Sequence, residues 1–118
     1  MNKIKSLLLM VLLAPLSVLA AQSMPMDMNH TQQSGAQQSY QSDMNKMHGD
    51  MMQGMQSDNP DVAFARGMTA HHQGAIDMAK TELKYGKDPE MRKLAQEIIS
   101  AQQPEIDRMQ HWLKQQKR

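Results

Sequence analysis

Met68, His71 and His72 stand three and four positions apart, the spacing that puts a thioether and an imidazole on one face of a helix. Both are uncharged donors on the soft side, so together they favour Cu(I) or Ag(I) over hard divalent ions. The same chemistry recurs upstream, where Met26 and His30 are four apart, Met44 and His48 four apart, and His48 and Met51 three apart. The chain holds 14 methionines and no cysteine. Met24, Met26, Met28, Met44, Met47, Met51, Met52 and Met55 all fall in a polar stretch that offers no core for them to fill. A sticky surface for apolar partners is the competing use of such a stretch.

Three segments must carry these groups. Residues 1–20 have the form of a cleavable export signal: Lys3 and Lys5, then an apolar run from Leu7 to Leu13, Pro15, and small residues before Ala21. The run is too short for a good membrane span, so no span is expected after cleavage. Export and the absence of cysteine point to an oxidising compartment, where a thioether site survives and a thiolate site is exposed to disulfide formation; the bacterial periplasm is the expected location. Losing Lys3 and Lys5 from 13 basic residues leaves 11 against 12 acidic ones. That balance provides no broad basic surface for nucleic acid.

Residues 21–57 are rich in Gln, Ser, Met, Asp and Asn and poor in aliphatics. Such a composition cannot offset its ordering entropy by burial, so a disordered arm is expected, with Gln32 to Ser42 its clearest part. Met44, Met47, His48, Met51 and Met55 keep helical spacing, weakened by Gly49 and Gly54, and a helix there is expected only with metal or a partner bound.

Residues 58–118 are expected to fold, giving an all-α chain. Asp58 or Asn59 can cap a helix with Pro60 in its first turn, and Phe64, Met68, His71, Ala75, Met78 and Leu83 keep its period until Gly86. Asp88 and Pro89 start a second helix whose apolar face includes Met91, Leu94, Ile98, Ile106, Met109 and Trp112. Each runs ~25 residues, roughly 38 Å, and the short turn makes an antiparallel hairpin. Two helices leave apolar faces uncovered. Either two chains pair into a four-helix bundle or the Met44 to Met55 segment folds back; the homodimer is the expected outcome.

With the turn near Lys87, facing positions have numbers totalling about 174. Met68 then faces Ile106 with Met109 within a turn, and the two histidines face Gln102, Gln103 and Glu105. Neighbouring histidines point about 100° apart, so they are not expected to serve one ion together. Glu105 or Gln102 can accept the remaining imidazole N–H. Met78 and Met91 read as core, His111 as a solvated helix-end residue, and Pro104 as a bend near the site. No His-Glu-x-x-His, Glu-x-x-His, phosphate loop or cysteine nucleophile is present, so no enzyme is expected.

Phe64, Met68, His71-His72, Ala75, Met78-Ala79, Leu94-Ala95, Ile98, Gln103, Glu105-Ile106, Met109 and Trp112-Leu113 together resemble the CopM-like bacterial copper metallochaperone family, a domain of unknown function. The resemblance implies a ferritin-like helical bundle without ferroxidase chemistry, an exported location and copper binding linked to copper tolerance. It implies ligands at Met68, His71, His72 and Met109, with Met78 in second rank. Larger relatives carry a second His-His hairpin that this chain lacks. The Met44 to Met55 segment separately resembles the Met/His clusters of periplasmic silver- and copper-sequestering proteins. The expected function is a copper buffer or metallochaperone, with Met68, His71, His72, Met109, Met44, Met47, His48 and Met51 as ligands. Expected partners are copper-exporting or copper-oxidising envelope proteins. A helical chaperone holding unfolded clients is the alternative.

Overall fold

The computed structural model describes residues 33–116, which form three helices: α1 (Gly35–Gly54), α2 (Pro60–Tyr85) and α3 (Pro89–Gln115). The export segment 1–20 and the donors Met24, Met26, Met28 and His30 lie outside the described residues.

Side-chain caps set the helix starts. The Asn59 carboxamide oxygen accepts from the backbone N–H of Asp61 and Val62 at 2.9 and 3.3 Å, with Pro60 next in line. At α3, Asp88 accepts from the Met91 N–H at 2.9 Å and Pro89 follows. Between them the chain turns at Gly86, where Arg92 donates to the carbonyls of Leu83 and Gly86 at 2.7 and 3.1 Å. One guanidinium thus satisfies acceptors left over at the end of α2 and ties the turn to α3. Pro104 does not interrupt α3: Ser100 and Pro104 are both exposed, so the carbonyl that loses its partner faces water.

The α2–α3 hairpin closes over a small interior of Ala65, Ile76, Ala79, Ala95 and Ile106, with Ile76 fully buried. Burying an isoleucine contributes about 1.5–3 kcal/mol, which makes Ile76 the main apolar anchor.

The arm expected to be disordered over 21–57 is instead helical from Gly35 to Gly54 and packs along α2. Of the two ways to cover the hairpin, the fold-back is present within the single chain, and it leaves the pairing of two copies open. Ser34 and Gln37 form a reciprocal capping box, and Gln41–Asn45 and Lys46–Asp50 bridge successive turns at 2.9 and 2.6 Å. The docking needs no aliphatic residue on α1, none of whose residues is buried. It relies on Gly67, Gly74 and Thr81, seven apart on α2, which let the two backbones approach. A Cβ at Gly74 would lie 2.6 Å from Met47 Cγ, and one at Gly67 would lie 2.9 Å from Met55 Cγ. Beyond the glycines, Ser39 donates to Thr81 at 2.9 Å and buried Thr81 donates to Asp43 at 2.7 Å. The composition of α1 by itself does not reveal this docking, because the complementary small residues sit on α2.

Helix α2 therefore lies between its neighbours, and α1 does not pack against α3. The result is an open three-helix layer. Large apolar residues remain uncovered on it, among them Phe64, which is 65% exposed, and Leu94, which is 44% exposed. No helix among the described residues is long and apolar enough to cross a membrane.

Candidate metal site

A cleft of about 640 Å³ opens between the first half of α2 and the second half of α3. It is lined by Asp61, Phe64, Ala65, Met68 and His72 of α2 and by Glu105, Arg108, Met109 and Trp112 of α3. The helical spacing is what assembles it: Met68 and His72 are one turn apart on α2, as are Glu105 and Met109 on α3. The predicted register is met to within a turn.

His72 is only 8% exposed, yet its two nitrogens differ. Nε2 contacts the Glu105 carboxylate, and Nδ1 is buried with no hydrogen-bond partner. A neutral imidazole that donates through Nε2 leaves the Nδ1 lone pair available, and an unmatched buried polar atom costs about 1–3 kcal/mol. Glu105 reaches inward from a largely solvent-exposed position, its side chain 63% exposed. Of the two acceptors expected for the imidazole, Glu105 takes the role, while Gln102 leaves its Oε1 buried and unpartnered. Carboxylate support of this kind fixes the tautomer and strengthens a ligating histidine.

His71 does not join this cleft. It is exposed, with its ring centroid 6.1 Å from that of His72 and the planes at 63°. The helical turn between adjacent residues separates the pair, as the sequence spacing requires.

The α1 candidates lie apart from the cleft as well. Met47 and Met51 are half-buried against α2, whereas Met44 and His48 are exposed. Met78, expected as core, is 37% exposed and lines a second, apolar cleft with Met91 and Leu94. That cleft contains Tyr40 of α1, whose phenol donates to Glu82 at 3.4 Å. Burial, then the neighbouring carboxylates Glu82 and Asp43, hold the Tyr40 pKa above 10.0. Sequence reasoning missed the docking contacts Tyr40–Glu82, Ser39–Thr81 and Asp43–Thr81 because the two partners in each are polar and more than 35 residues apart.

No group of three His, Cys, Asp or Glu residues close enough to hold a metal occurs among the described residues. A carboxylate or imidazole cage for a hard or borderline divalent ion is therefore missing from that part of the chain. The cleft's lining instead combines two thioethers and one imidazole with the carboxylates of Asp61 and Glu105.

Residues 15–113 match a family described as Domain of unknown function (DUF305). A 57-residue stretch is 40% identical to an uncharacterized protein of Acanthamoeba polyphaga mimivirus, covering 48% of this chain and 38% of that protein.

Proposed function

The chain belongs to the DUF305 family, and on that premise we propose that it is an exported, non-catalytic protein that binds Cu(I), and Ag(I) as an alternative guest. It acts as a periplasmic metallochaperone or buffer in copper tolerance. The observation that carries this reading is that His72, whose Nδ1 is buried without a partner, lines the same cleft as Met68 and Met109. Thioethers have no proton to lose, and they coordinate soft monovalent ions in preference to the hard cations that outnumber them. Glu105 holds the histidine ring in place for ligation. The residues that resemble CopM-like copper metallochaperones support copper as the cargo.

Uncovered Phe64 and Leu94 support the further proposal that two copies pair through this face, completing a ferritin-like bundle. Copper-exporting or copper-oxidising envelope proteins are the proposed exchange partners.

Competition against a Cu(I) chelator tests the site. Met68→Leu combined with His72→Ala abolishes binding in the cleft, and Glu105→Gln weakens it by about 10- to 100-fold. Unchanged affinity in the double variant would remove the cleft from the proposal. The same exposed apolar residues also favour a second reading, a chaperone that holds unfolded clients. Metal-free suppression of client aggregation, indifferent to copper chelation, is the result that selects it.

A further inference from the structure

The seam between α1 and α2 aligns a second set of soft donors. Five contacts fix its register: Gly35 with Tyr85, Asp43 with Thr81, Met47 with Gly74, Gly54 with Arg66 and Met55 with Gly67. The helices therefore run antiparallel without slippage along the whole of α1. Met51 is four residues after Met47 and four before Met55; His71 is four after Gly67 and three before Gly74. Positions three and four apart share a helix edge. Met51 thus lies on the α1 edge midway between the two glycine contacts, and His71 lies on the facing edge of α2 at the same level.

We propose that Met47, Met51 and His71 form a second binding site for a soft monovalent cation, built across the α1–α2 seam and separate from the Met68/His72/Met109 cleft.

Three observations converge on it. The glycines leave room: without side chains at 67 and 74, the thioether chains of Met55 and Met47 lie directly on the α2 backbone on either side of His71. The donors are reachable, because His71 is exposed and no residue of α1 is buried. The sulfurs are near the right height, since Met47 and Met51 are one turn apart, ~6 Å along the axis, a gap that two flexible thioether side chains close. The hairpin interior closes through other residues, and the packing at Gly74 accounts for Met47 but not for Met51. The division of the two histidines also gains a reason: His72 turns toward Glu105 and α3, and His71 is left for α1. With two thioethers and one imidazole, each neutral, the site suits Ag(I) or Cu(I) and has no carboxylate for a hard ion.

This inference rests on the soft-ion reading, and silver nitrate in chloride-free buffer tests the two sites separately. Native mass spectrometry of the intact protein should show one Ag(I) fewer at saturation in Met51→Leu/His71→Gln. It should also show one fewer in Met68→Leu/His72→Ala, and two fewer when all four changes are combined. A full silver count in the seam variant overturns the seam site while leaving the cleft. A full count in the cleft variant with one ion lost from the seam variant does the reverse. No silver bound by the parent protein overturns both. Leucine matches methionine in volume and His71 is exposed, so helicity should be retained. If it is lost, the unsubstituted protein decides: silver must shift the methyl ¹³C resonances of Met47 and Met51, and unmoved signals overturn the site.

Discussion

The two seams of this protein are closed by different physics. Between α2 and α3 the interior is aliphatic, with Ile76, Ile106 and three alanines buried. Between α1 and α2 it is close approach at Gly67 and Gly74 followed by hydrogen bonds at Thr81, and nothing on α1 is buried. An aliphatic seam is stabilised by the area it removes from water and tolerates modest shape changes. A glycine seam is stabilised by fit, and one added side chain can separate it. The hairpin should therefore behave as the stable unit and α1 as its conditional companion.

Substitution at Ile76 should separate the two most sharply. Ile76→Ala is expected to cost about 2–5 kcal/mol and to lower the global unfolding midpoint in urea, with all three helices lost together. If only part of the helicity melted, the hairpin would not be the unit on which α1 depends.

A smaller and local effect is expected from Gly74→Leu, whose Cβ would crowd the Met47 side chain. Overpacking of this type costs about 1–3 kcal/mol. Amide hydrogen exchange should quicken across α1, while the amides around Ile76, Ala79 and Ala95 keep their protection. Equal loss of protection in all three helices would contradict the division.

The smallest effect concerns pH. The Tyr40 phenol is held above its ordinary pKa by burial and then by Glu82 and Asp43. A raised pKa in the folded state means that the neutral phenol is favoured there. Its contribution is complete below the unfolded pKa of about 10 and is lost as pH rises through the folded value. Circular dichroism between pH 9 and 11 should show α1 helicity falling in the parent protein and staying level in Tyr40→Phe. A flat parent curve would show that the phenol does not hold α1.

Much of this architecture is legible in the residues alone. The Asn59-Pro60 and Asp88-Pro89 caps, the Gly86 stop and the α2 and α3 periods predict the hairpin, and the short turn fixes its register closely enough to bring Met68, His72, Glu105 and Met109 into one cleft. These signals are local or periodic. Helix α1 is not legible in the same way, because its evidence is shared between two segments. Gly67 and Gly74 read alone as weak points in a helix, and Met47 and Met55 read alone as unsupported thioethers. Only the pairing of each glycine with a methionine from another helix shows why both are there. The separate fates of His71 and His72 follow from helical geometry, but which of them Glu105 takes depends on how α3 is rotated about its own axis.

The link from Met55 to Asn59 is all that joins α1 covalently to the hairpin, and α1 reaches α3 only by way of α2. Cleavage in that link would release a helix without cutting into the interior that Ile76 and Ile106 fill. Evolution could likewise exchange this outer helix for one with a different donor set, while the remaining pair kept its own cleft and its own fold.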